Sequence, residues 1–150
     1  MLRKQAKTKV FLHIAATVKL SSWWLVDSGG HLDWDGSSTY TSYFKKGVNT
    51  WNDYKSGVIR HDSASVIQDV AISDYKENSS TCAYTSSDGA IRFNKTVMSD
   101  LSSKERQYVA THELGHALGL KHHTSSDMMY KYETARITLN ANESALHFVG

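Results

Sequence analysis

The segment His112-Glu113-Leu114-Gly115-His116-Ala117-Leu118-Gly119-Leu120-Lys121-His122 places three imidazoles, one carboxylate and a glycine in the order HExxHxxGxxH. This spacing constrains fold and chemistry together. Four residues make roughly one helical turn, so on a helix His112 and His116 leave the same face. Glu113 sits one step round the cylinder, within reach of a water on a bound metal without being a ligand. Gly119 takes left-handed dihedrals cheaply and lets the backbone turn out of the helix. That turn brings His122 back toward the other two rings. Three neutral ring nitrogens plus one water form an open tetrahedral Zn²⁺ site, the arrangement a hydrolytic zinc requires. Glu113 is then placed to take a proton from that water as general base.

Local signals around this segment predict its setting. Ser102 with Glu105 three places on forms a capping box, so the metal helix is expected from about Ser103 to Leu118. Earlier, Ser37 or Ser38 is the expected cap of a helix reaching about Tyr54, with Tyr40, Phe44, Val48 and Trp51 as its apolar stripe. Strand-like stretches are Leu32 with Trp34, Val58-Ile59, Val66 to Ser73, Thr81 to Tyr84 and Ala90 to Phe93. The last two are joined by the turn Ser86-Ser87-Asp88-Gly89. A final helix is expected from Asn140 or Asn142, with Leu146 and Phe148 facing inward.

Composition narrows the alternatives. At 150 residues the chain suits one packed domain, and its net charge of +2 without a basic stripe gives nucleic acid no footing. The single cysteine, Cys82, excludes an intrachain disulfide framework and the cysteine-rich zinc ribbons; it reads as a small buried apolar residue. No apolar run reaches the roughly 18 to 20 residues of a membrane span. Residues 1–28 form a leader or extension: Met1 to Lys9 is basic and Val10 to Val18 mostly apolar, the outline of a secretory signal interrupted by His13. A packed strand and loop is the other reading. The catalytic unit is expected over 29–150.

HELGHALGLKH resembles the zinc site of the metzincin metalloproteases, and is most similar to that of the matrixins. The resemblance runs from about His31 to Tyr130. It implies an α+β layered fold with a twisted, mostly parallel sheet, an antiparallel edge strand, two long helices and a C-terminal helix. It implies one catalytic zinc on His112, His116 and His122, Glu113 as catalytic base, and a methionine turn beneath the metal. Met129-Tyr130 aligns with the matrixin Met-Tyr pair, whereas Ser126-x-Met128-x-Tyr130 fits astacin-like and serralysin-like turns, so either methionine fills that place. Under the second alignment Tyr130 approaches the zinc or the oxyanion. The family's peptide-binding edge maps onto Ser80 and Thr81, Cys82, Ala83 and Tyr84. A polypeptide substrate, a monomeric enzyme and a secreted or extracellular location are further implications. An additional structural zinc or calcium ion, of the kind matrixins carry, finds only His61-Asp62 as a starting point. His123 directly follows a ligand and is expected in solvent or in a supporting role.

Overall fold

The computed structural model describes residues 9–12, 21–63, 67–122, 127–139 and 146–149. Its centre is a five-stranded sheet built from β2 (Leu32–Gly36), β3 (Ile59–His61), β4 (Val70–Tyr75), β5 (Ala83–Ser86) and β6 (Ala90–Asn94), in the order β3-β2-β4-β6-β5. The first three pairings are parallel, with Trp34 opposite Val70 and Ile72 opposite Ile91; only β5 runs antiparallel, at the edge beside β6. Alternation explains the buried face. Leu32 and Trp34, Val70 and Ile72, and Ile91 and Phe93 all point into the core.

Against that sheet pack α1 (Thr41–Tyr54) and α3 (Ser103–Ala117), with the short α2 (Lys95–Met98) between β6 and α3. The capping box at Ser102 and Glu105 is formed, each residue's side chain accepting from the other's backbone N–H. At α1 the cap differs from expectation. The helix starts after Tyr40, and the Ser38 hydroxyl is used elsewhere, bonded to the Asp74 carboxylate and accepting the Tyr40 N–H. The buried stripe of α1 is Phe44, Gly47 and Trp51, with Val48 only half-buried.

Gly47 sets the distance between the helices. A Cβ built there lies 2.9 Å from Thr111 Oγ1 and 3.0 Å from its backbone nitrogen. One turn on, the Trp51 indole N–H donates to the Thr111 carbonyl at 2.9 Å. The metal helix is thus clamped to α1 one residue before His112. Gly47→Val is expected to lower stability by about 1–3 kcal/mol, because backbone at the contact cannot yield as a side-chain tip can. An unchanged urea midpoint would show that the helices separate freely.

Two boundaries are displaced. The edge strand expected at Thr81 to Tyr84 is observed two residues later, because Asn94 Nδ2 ties up the Thr81 carbonyl at 3.0 Å and Glu77 O at 3.0 Å. Likewise β4 begins at Val70, where pairing to Trp34 becomes available.

The chain ends depart further from expectation. Leu146–Val149 is a strand, β7, paired antiparallel with β1 (Lys9–Leu12), and not the inward-facing end of a C-terminal helix. A partner strand gives alternate residues of this segment inter-strand hydrogen bonds, whereas an isolated four-residue helical turn forms poorly; 140–145 lie outside the described residues. Before β2, the segment from Ser21 to Asp27 lies along the end of α3. Ser21 N–H donates to Gly119 O at 2.7 Å and Leu25 N–H to Ala117 O at 2.9 Å, with Leu25 and Val26 buried.

Candidate active site

The end of α3 carries the histidines. Leu118 closes the helix, and Gly119 follows with φ of 101°, the left-handed conformation anticipated for it. Gly119 N–H bonds to His116 O at 2.9 Å and Leu120 N–H to Gly115 O at 3.0 Å, the paired bonds of a Schellman turn. The reversal carries His122 back over the helix end. One ring nitrogen from each of His112, His116 and His122 lies within 4.8 Å of the other two.

Which nitrogens face inward follows from their partners. His112 Nδ1–H donates to the Met128 carbonyl at 2.9 Å, and His116 Nδ1–H to the Leu120 carbonyl at 2.8 Å. Both rings therefore keep an Nε2 lone pair for a metal. His116 Nε2 and His122 Nε2 stand 3.2 Å apart. That is close to the edge of a tetrahedron with zinc–nitrogen bonds of 2.0–2.1 Å, roughly 3.3 Å. Burial, reinforced by the neighbouring rings, lowers His112 to about 3 and His116 to about 4, and burial also lowers His122. At neutral pH the triad is uncharged, the state zinc requires. The donor set fits the ion.

Below the triad, Met128 and Met129 are both fully buried. Met128 contributes the carbonyl that orients His112. Met129 fills the space left by Gly115, where an added Cβ would come within 2.3 Å of its sulfur. Tyr108, one turn before His112, donates its hydroxyl proton to Tyr130 O and approaches His112 Nδ1 at 3.4 Å. The sequence reading did not single out Tyr108 for this place; its position four residues before His112 on one helix is the signal that marks it. The Tyr130 ring packs edge-on against Tyr132, centroids 5.5 Å apart. Ser126 and His123 lie outside the described residues.

Glu113 is 5 % exposed and lies on a cleft of about 460 Å³ that also reaches His112 and His122. Burial pushes its carboxyl up to about 7 in the metal-free chain, against the lowering effect of a hydrogen bond from Thr85. Thr81, Cys82 and Ala83 border this cleft, whereas Tyr84 turns outward onto Tyr75 and Arg92. The opposite wall contains Lys131, Tyr132 and Glu133, which the sequence reading did not single out. Cys82 is half-buried beside Glu133, and burial pushes its thiol up to about 11, leaving it protonated and inert.

Among the described residues, one other trio brings ligating atoms together: Asp27, Asp33 and Asp69. Their oxygens are already engaged. Asp33 forms a two-bond ion pair with Arg60 at 2.8 and 3.0 Å. Asp69 accepts the Asp33 N–H, and Asp27 accepts those of Gly29 and His31. These carboxylates bind loops together. His61 is largely exposed, 3.8 Å from Asp35, and forms no such group with Asp62.

Comparison with known proteins places this geometry. The family model described as Matrixin, of the peptidase M10 group, matches residues 20–145. No curated protein gives a significant match. The match begins upstream of the residues that carry the motif resemblance, and it takes in the Ser21–Asp27 segment packed on the Gly119 turn.

Proposed function

Since the chain belongs to the matrixin family of zinc-dependent metalloproteases, we propose that it is an endopeptidase in which Glu113 acts as general base within extended polypeptide substrates. The supporting observation is the cluster of three neutral imidazoles next to one buried carboxylate, at a cleft beside a sheet edge that is unpaired among the described residues. His112, His116 and His122 would hold the zinc. When bound there, zinc supplies Lewis acidity, making a water nucleophilic near neutral pH and polarising a carbonyl.

The chain's own groups do the rest. A substrate strand lies against β5 and pairs with its free backbone edge, which selects extended segments and tolerates many side chains. That pairing sets one substrate carbonyl at the histidine cluster. Glu113 accepts a proton from the attacking water and delivers it to the departing amine nitrogen, so the carboxylate is regenerated. Its burial keeps the proton affinity near neutrality, while a neighbouring cation favours the ionised form that begins the cycle. Met129 is the floor residue in this reading, supported by its sulfur filling the Gly115 hollow. Tyr130, held through its carbonyl by Tyr108, lines the cleft and is the residue nearest to an oxyanion role. Matrixins are typically secreted, and a site outside the cytoplasm fits the proposal.

Purified, zinc-loaded protein is expected to cut a denatured protein at internal bonds, giving peptides without stepwise end trimming. A chelator should stop cleavage and added zinc restore it. Release of single terminal residues alone would assign it to another class of peptidase.

A further inference from the structure

The sheet edge touches the base directly. Thr85 sits on β5 two residues beyond Ala83, on the same side of the strand, and its side chain reaches α3. Its Oγ1 lies 2.6 Å from Glu113 Oε2 and 2.9 Å from the Glu113 backbone carbonyl oxygen. Both contacts are side-chain reach across separate elements, 28 residues apart in sequence. The first is within the short range of a hydroxyl bonded to an ionised acceptor. The hydroxyl has one proton for these two acceptors, and the shorter contact assigns it to Oε2, with the α3 carbonyl alongside as the weaker, shared acceptor.

A glutamate carboxylate on its own has a broad, loosely defined terminal torsion. Binding one oxygen removes that freedom and aims the other. We propose that Thr85 is a positioning residue for the general base: it holds Oε2 of Glu113 so that Oε1 is the oxygen presented to the water and then to the leaving amine. This rests on the assignment of Glu113 as base. The proton from the water lands on Oε1 and leaves from Oε1 to the amine nitrogen, while Oε2 keeps its bond to the Thr85 hydroxyl throughout. No heavy atom of the pair has to move between the two transfers, which is the benefit of preorganised catalytic geometry.

A purely structural role for Thr85, docking β5 on α3, makes a different prediction. It would alter peptide binding at the edge or stability, not the rate of the bound complex. The test compares Thr85→Val, which keeps shape and β-branching without the hydroxyl, with Thr85→Ser, which keeps the hydroxyl, in the full zinc-loaded chain. We expect Thr85→Val to lower kcat roughly 10- to 100-fold with KM within about twofold of wild type and one zinc retained. Thr85→Ser should recover kcat to within about threefold of wild type. Wild-type kcat in Thr85→Val, a loss confined to KM, or a serine variant as slow as the valine variant would each overturn the proposal. Should the valine variant fail to fold, Thr85→Ala set against Thr85→Ser decides by the same criterion. Glu113→Ala is run alongside. If it cleaves as fast as wild type, the base assignment itself fails; if it is inactive while Thr85→Val is normal, only the positioning role does.

Discussion

Glu113→Ala is expected to lower kcat about 10²- to 10⁴-fold while one zinc per chain is retained. The separation follows from geometry. Glu113 lies one helix position from His112, and its carboxylate bonds to Thr85, whereas two of the three proposed ligand rings are oriented by other groups: Met128 O for His112 and Leu120 O for His116. Removing the carboxylate leaves those bonds intact. It also removes a buried carboxyl that burial pushes up to about 7, which relieves the cost of desolvating its charge at neutral pH and offsets part of the lost packing. Metal analysis and single-turnover kinetics on a peptide substrate measure both halves. Equal loss of zinc and activity would mean that the carboxylate supports the ligands instead of the proton transfers.

The larger effect on metal is expected from His116→Ala. Outer partners of a ligand are worth about 10- to 100-fold in metal affinity, and loss of the ligand itself should exceed that range. The ring centroids of His112, His116 and His122 stand 4.7, 4.9 and 5.2 Å apart, and among the described residues no further His, Cys, Asp or Glu joins that cluster to replace a lost ring. Cleavage should disappear with the metal, and excess zinc should not restore it. A second readout comes from pH. In the metal-free chain His112 and His116 are held at about 3 and 4, below the ordinary 6.5. The unfolded chain therefore binds more protons below pH 6.5. Stability from this source is complete above 6.5 and declines as pH falls from there through 4 toward 3. His116→Ala should make that acid decline shallower. A metal-free variant with the wild-type acid profile would remove His116 from the account.

Much of the metal centre was legible along the chain because its determinants are local. Helical spacing puts His112 and His116 on one face, the Ser102–Glu105 box starts the helix, and Gly119 ends it. Each depends on residues within a few positions of one another. Strand alternation similarly exposed the buried faces of β2 and β4, although boundaries slipped where a distant group intervened. Asn94 capturing the Thr81 carbonyl moved β5, and Asp74 drew Ser38 away from the α1 cap. The chain's last residues are expected to close a helix begun at Asn140 or Asn142, yet Leu146–Val149 pair as a strand with Lys9–Leu12.

By itself, then, the order of residues determined the three histidines proposed as ligands, the candidate base and the helix that carries most of them, since these arise from backbone periodicity over one or two turns. Only the tertiary structure decided which nitrogens of His112 and His116 stay open to a metal, because Met128 O and Leu120 O claim the Nδ1 positions. It alone brought Thr85 against Glu113, closed the helices at Gly47 and seated Met129 under Gly115. Those contacts join segments tens of residues apart. Their distances depend on how whole elements pack, and no local propensity encodes them.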